Sequence, residues 1–459
     1  MAHSLTRLVF ISSPRETTFT LKKDMPNFQI KLLHYLSAIA FIAMLTSPTA
    51  SGEDWLQWRG PDRANRSAES GLFESWGESG PELLWMGEGL GSGYASVSVQ
   101  GDRIYTTGNS QSAQFVSAIS AADGSVIWKQ PISSTKPKHG YPGSRTTPTI
   151  DSDRIYVVSS DGKIVCLKTE DGSIAWERNF DQFDGEMMSM WGYSESPLVD
   201  GDVVICTPGG RNAVVVALDK MTGEDVWKCP LPRFKSSDSG ANGKPLKDGA
   251  GYSSVVIAQC AGQKIYVQLI GRGLIGINAE SGQCIWRYKK VGNSTANIPT
   301  PIVSGDYVFT STAYNTGSAL LKMTKKKGRP AYEEVYWLPP KKLQNKHGGM
   351  TLVDGYIYCG HGNGAGLPIC VELATGDIKW GPERSMGKGE SSCVYADGNV
   401  IFRREDGTVN LIKANPDEYQ LVNSFKPAFQ AGKSWAHPVI SGGRLYLREQ
   451  DKLMCYRLK

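Results

Sequence analysis

A tryptophan closing a Gly-x-x-x-Trp unit recurs along this chain and limits its fold more than any other feature. The pairs are Gly124/Trp128, Gly172/Trp176, Gly223/Trp227, Gly282/Trp286 and Gly376/Trp380. Each glycine follows Asp, Ser or Thr, which is turn chemistry, because glycine takes positive φ without a steric cost. Ahead of each unit the chain reads as strand, short turn, strand, turn, strand, as in Thr-Pro-Thr-Ile-Asp-Ser-Asp-Arg-Ile-Tyr from Thr147. Every repeat is therefore a four-stranded meander, the unit of a propeller blade. Two further closures are altered: Trp337 lacks the glycine, and Phe425 replaces the tryptophan. The last repeat runs from His437-Pro438 to Leu458 without a closing aromatic, while Glu82-Leu83-Leu84-Trp85 stands alone ahead of the first. The reading is an all-β, eight-bladed propeller of four-stranded antiparallel blades. The N-terminal strand completes the last blade and so removes the exposed sheet edges.

Composition agrees with many short strands: 51 glycines and 12 tryptophans, with 21% charged residues. A formal charge of +5 from 50 Lys+Arg against 45 Asp+Glu gives no basic footprint, so nucleic acid is not an expected partner. Nine cysteines all follow residue 165. They form neither C-x-x-C nor zinc-site spacing, and most (Cys166, Cys206, Cys359, Cys370, Cys455) fall in strands. They are expected to be mainly buried thiols, with room for one or two disulfides.

Residues 1–52 read as a leader and 53–459 as one propeller domain. The apolar run 32–45 follows Lys31 and precedes Ala50 and Gly52, the pattern of a signal peptide cleaved near Glu53. The rival reading is an uncleaved anchor, and Met25 is an alternative start. The leader contains no cysteine, so no lipid anchor is expected, and the protein is placed in the periplasm or outside the cell.

Blade three carries Ala217-x-Asp219-x-x-Thr222-Gly223-x-x-x-Trp227. This resembles the tryptophan-docking motif of the pyrroloquinoline-quinone (PQQ)-like propeller family. That family includes the quinoprotein alcohol dehydrogenases and the propeller lipoprotein of the outer-membrane β-barrel assembly machine. Trp55-Leu56-Gln57-Trp58-Arg59-Gly60-Pro61 and Trp435-Ala436-His437-Pro438 resemble the PQQ-like repeat proteins of planctomycete-type bacteria. The resemblance implies that Trp85, Trp128, Trp176, Trp227, Trp286, Trp337 and Trp380 dock neighbouring blades on one another. It implies a fold more than an activity.

In a propeller, the loops leading into the innermost strands gather on one face. Here they carry Arg145, Trp191, Tyr193, Glu195, Tyr252, Asn297, Asn345, His347, Glu390, Trp435 and His437. Aromatic and polar groups converging from several blades have the layout of a small-molecule site. The plainer alternative is that these groups bond loop backbone and fill the channel. Two functions follow. One is a binding or scaffold module for a protein, glycan or small ligand, expected to be monomeric. The other, implied by the resemblance, is a PQQ- and calcium-dependent oxidoreductase. The sequence offers Glu195, Glu390, Asn297 and Asn345 as candidate oxygen ligands and Trp191 or Trp435 as candidate stacking surfaces, but none matches the dehydrogenase site residue by residue, so no catalytic residue is assigned. The chain lacks the adjacent cysteine pair of many quinoproteins, and its ligand set is unmatched, which favours the first; C-x-x-C-H is absent, so no haem is expected. No cofactor is expected with that reading. His139, His347, His361 and His437 come from separate repeats, so no metal site is expected. Gly360-His361-Gly362-Asn363-Gly364-Ala365-Gly366 reads as a hairpin, and Lys325-Lys326-Lys327 as a solvated turn.

Overall fold

Short extended runs separated by Gly, Asp and Ser turns fold into eight antiparallel sheets of four strands. The computed structural model describes residues 53–459 except 73, 78, 135–139, 234 and 236. The expected leader, its cleavage region up to residue 52, Met25 and His139 lie outside the described residues. In seven blades the strands follow chain order from the channel outward. Blade 1 covers residues 98–133, blade 2 149–179, blade 3 198–229, blade 4 256–288, blade 5 302–338, blade 6 350–380 and blade 7 391–425. Blade 8 takes its three inner strands from Val439–Ser441, Arg444–Glu449 and Lys452–Arg457. Its outermost strand is Leu83–Gly87, paired antiparallel with Lys452–Arg457. The ring is thus closed by its own N-terminal strand.

The docking tryptophans work across blade boundaries, and the turn glycine explains why. Trp85 lies on Gly124 of blade 1, where a Cβ would come 2.5 Å from the indole. Trp128 lies likewise on Gly172, Trp176 on Gly223 and Trp227 on Gly282. Each indole N–H then donates to a carbonyl of the same turn region: Ala121 (3.1 Å), Thr169 (3.2 Å), Lys220 (3.0 Å) and Ala279 (3.1 Å). Phe425 of blade 7 rests in the same way on Gly80, which has φ +84°. Within its own blade each tryptophan faces a small residue across the pairing, Ala118, Cys166, Ala217 or Cys370, next to a bulge in the outer strand pair. A cysteine there is a space-filling choice. All nine cysteines are free thiols, eight of them buried, so no disulfide forms.

Blade 5 corrects one expectation. Its bulge lies one position further along, between Leu320 and Leu321, so Tyr336 rather than Trp337 occupies the docking position. The Tyr336 hydroxyl donates to Leu373 O at 2.8 Å, and the ring lies against Gly376 of blade 6. Trp337 turns back to the core between blades 4 and 5. The glycine of blade 5's outer turn, Gly328, meets nothing within 4 Å, and Trp286 instead packs edge-on against Tyr332, centroids 5.5 Å apart. Trp380 meets Tyr419 at 5.3 Å and donates to Asn415 O at 2.7 Å.

The segment 53–69 runs through the channel and bonds to every blade. Trp55 exchanges two 2.9 Å backbone bonds with Val99 of blade 1, and Leu56 O accepts from Ile150 N of blade 2. Arg63 donates to Ser196 O and Pro197 O beside blade 3 and to Val255 O (2.9 Å) beside blade 4. Arg59 joins Thr300 O (3.0 Å) beside blade 5 to Met350 O (2.8 Å) of blade 6. Asn65 and Ser67 bond Tyr395 of blade 7, and blade 8 is held by Ser441 Oγ to Glu53 O and Gly443 N to Glu69. Arg59, Arg63 and Asn65 sit at φ between +56° and +66°, a region that non-glycine residues hold only where surrounding bonds over-determine them.

Candidate functional site

A cavity of about 290 Å³ opens on the face formed by the loops that lead into the innermost strands. Its floor is Trp58 of the channel segment, whose indole N–H donates to Thr300 Oγ1 at 3.1 Å and whose ring lies 4.4 Å from that of His437. With the segment below it, the cavity is a blind pocket. Its walls come from different blades. Trp435 stands between Tyr94 and Tyr141, each with centroids 4.9 Å away, and His347, also at 4.9 Å. Opposite them Trp191 meets Tyr252 edge-on at 5.9 Å. Tyr314 adds a further ring.

Among the described residues, three cations and one carboxylate line this space. Lys433 is paired with Glu405, which also accepts the Trp435 indole N–H at 2.8 Å. Lys346 lies 3.5 Å from Glu390. Arg145 has no carboxylate partner among the described residues. It donates to Tyr141 O (2.7 Å), Gly143 O (3.1 Å) and Trp191 O (3.2 Å), and its guanidinium lies 5.3 Å from the Tyr94 ring centroid. Burial pulls its pKa down to about 10, which leaves it charged at neutral pH. His347 and His437 are pulled down to about 3, first by burial, so both are neutral, and His437 Nε2 faces His347 O at 3.1 Å. Among the described residues the lining carries three cations against one carboxylate, and Arg145 is the cation without a carboxylate partner.

Of the residues expected at the channel face, the structure brings Arg145, Trp191, Tyr252, His347, Trp435 and His437 to the pocket. Tyr193, Glu195, Asn297, Asn345 and Glu390 do not line it. Tyr193 donates to Pro208 O at 2.8 Å and packs on Phe180. Asn297 donates to Ile270 O (2.9 Å) and Gly271 O (3.1 Å) while its Oδ1 accepts from Asn293. Asn345 spans Gly360 O and Gly348 N, and Glu390 accepts from Gly364 N. Glu195 accepts from Thr207 N (2.6 Å), Thr207 Oγ1 (2.8 Å) and Gln268 Nε2 (3.1 Å). The four oxygens that a calcium ion would require are therefore spent on loop and strand bonds in separate places, and they do not fit a shared ion. No group of three His, Cys, Asp or Glu among the described residues has metal-site geometry.

Trp58, Tyr94, Tyr141, Tyr314, Glu405 and Lys433 line the pocket unforeseen, while Lys346 comes from the lead-in loop Asn345-Lys346-His347. A signal existed for Tyr94: Gly93-Tyr94, Gly192-Tyr193 and Gly251-Tyr252 repeat the same pair ahead of an innermost strand. Glu405 follows the second strand of blade 7, outside the lead-in loops, and nothing local marks it.

Burial raises the Glu195 carboxyl to about 8, against the pull of the Thr207 bonds and the Arg63 charge. The folded chain then keeps a proton that the unfolded chain releases above about pH 4.5. The associated stability is full below that pH and is lost as pH rises through about 8. Melting curves should show the native protein losing stability, on the order of a few kcal/mol, between pH 5 and 8.5 relative to Glu195→Gln. Parallel profiles would refute the protonated carboxyl.

A closed eight-bladed propeller with a blind aromatic pocket at one mouth defines the class. Residues 112–382 match the family model described as outer membrane protein assembly factor BamB, a PQQ-type repeat model. The chain belongs to this PQQ-like propeller family. Over 97 residues it is 31% identical to outer membrane protein assembly factor BamB of Alteromonas naphthalenivorans, a match covering 19% of this chain and 23% of that one. The chain thus spans under a quarter of that relative. Among solved structures it is similar to BamB from Moraxella catarrhalis (TM-score 0.56, 14% identity, 82% of this chain and 99% of that one). It is also similar to the quinohemoprotein alcohol dehydrogenase from Comamonas testosteroni (TM-score 0.61, 14% identity, 91% of this chain and 82% of that one). At such identity the likeness is one of fold. No helix among the described residues is long and apolar enough to cross a membrane.

Proposed function

We propose that this protein is an exported binding propeller, in the periplasm or secreted, that holds a ligand or partner group in the blind aromatic pocket and acts through a single domain over residues 53–459. The observation that carries this reading is the pocket itself: seven tryptophan and tyrosine rings from separate blades, three cations and a floor supplied by Trp58, around about 290 Å³. Such a concavity, apolar with a few placed polar groups, is how small-molecule sites are built. The BamB relatives, outer membrane protein assembly factors by name, support an exported setting. The quinoprotein neighbours share the fold, but Glu195, Asn297, Asn345 and Glu390 are bonded elsewhere in this chain.

Intrinsic fluorescence and thermal shift against a panel of sugars, amino acids and short peptides test the pocket. A hit is expected to weaken about tenfold or more in Trp435→Ala, which removes the ring at the centre of the wall. The same protein given PQQ, calcium and alcohols is expected to show no dye-linked turnover. Calcium-dependent, PQQ-dependent turnover would replace the binding reading by the quinoprotein one.

A further inference from the structure

The pocket carries more information than its concavity. Among the described residues, two of its three cations are matched, Lys433 by Glu405 and Lys346 by Glu390, and the third, Arg145, has no carboxylate partner. Arg145 is held in place by the carbonyls of Tyr141, Gly143 and Trp191. A guanidinium has five N–H groups, so three such bonds leave donors unspent on a fixed, unbalanced charge. A carboxylate on the ligand supplies the missing partner.

The rings indicate the body of that ligand. None of the wall pairs is parallel: Tyr94 meets Trp435 at 42°, Tyr141 meets Trp435 at 63°, and Trp191 meets Tyr252 at 62°. A flat fused aromatic seeks parallel faces to lie between. Angled faces suit a saturated ring, which presents C–H groups on both faces and hydroxyls at its edge. The hydroxyls of Tyr141 and Tyr314 make no hydrogen bond within the described residues and stand ready for such an edge. The volume, near the lower bound of ~300 Å³ for ligand pockets, limits the occupant to a monosaccharide or the end residue of a chain.

We propose that the pocket binds an acidic sugar, a pyranose-sized ring bearing one carboxylate, with Arg145 holding the carboxylate and the tryptophan and tyrosine faces holding the ring. This rests on the reading of the pocket as the working site. The direct test titrates the full chain by calorimetry with galacturonate, digalacturonate, galactose and benzoate. Galacturonate should bind roughly tenfold or more tightly than galactose. Arg145→Gln should bring galacturonate down to the galactose level, and Arg145→Lys should retain part of the preference. Digalacturonate binding much more tightly than galacturonate identifies a chain end as the source, and equal binding identifies a free sugar acid. Equal affinity for galactose and galacturonate, or benzoate binding more tightly than either, overturns the proposal. These comparisons use the unaltered chain and stand even if an Arg145 variant fails to fold. Galactose or benzoate binding at least as tightly as galacturonate, and lost in Trp435→Ala, would sink the acidic sugar and leave the pocket reading intact. Silence from all four compounds would sink the acidic sugar, and silence from the wider panel of sugars, amino acids and peptides as well would sink the pocket reading.

Discussion

Arg63→Ala is expected to lower the free energy of unfolding by about 3–5 kcal/mol, with a single cooperative transition retained. The guanidinium is fully buried and donates to the carbonyls of Ser196, Pro197 and Val255 at the start of two neighbouring blades, and its Nε bonds Gln57 at 2.8 Å. Removing it leaves three buried acceptors unpaired, and each such group costs about 1–3 kcal/mol. It also removes several of the bonds that hold the segment's left-handed residues in place. Arg66→Ala is the control. Its partner Asp62 is exposed, so the pair contributes at most about 1 kcal/mol. Chemical denaturation of both variants checks the difference, and equal midpoints would show that the channel segment does not tie the ring together.

Trp85→Ala should cost about 3–5 kcal/mol and act on the whole ring. Trp85 belongs to the strand Leu83–Gly87, which pairs with Lys452–Arg457 and is the last strand of blade 8. Its ring covers Gly124 of blade 1, and its N–H reaches Ala121 O at 3.1 Å. Losing it loosens the seam where the two ends of the chain meet and exposes a strand edge. Gly124→Ala attacks the same seam from the other side, since a Cβ there would come 2.5 Å from the indole and φ is +77°. Both variants should therefore fall together in thermal melts. A Trp85→Ala protein that melts within about 1 kcal/mol of the parent would mean that the seam is held elsewhere, for example by Arg448, which donates to Thr106 Oγ1 at 2.9 Å and Gly91 O at 2.8 Å.

The sequence by itself determined the blade, the number of blades and the closure. Those are local properties: Asp-Gly and Thr-Gly turns, alternating strands, a tryptophan at a fixed distance, and a leftover strand at the N-terminus. Register at blade 5 was not legible, because Tyr336 and Trp337 are both aromatic and only the position of the bulge decides which one faces blade 6. Lead-in loops were legible as loops, but which side chain points into the pocket was not. Trp191 and Glu195 lie in one loop, yet the first lines the pocket and the second turns into the strands to accept from Thr207 and Gln268. A loop that contributes to a site must also satisfy its own backbone, and that division depends on neighbours distant in sequence. The channel segment was decided by tertiary structure alone. Trp55–Pro61 reads as a motif without a partner, because the carbonyls that Arg59 binds lie 241 and 291 residues away. No local pattern encodes a contact of that range. It exists because eight blades, once closed, leave eight innermost strands facing one axis, and their free carbonyls require donors there.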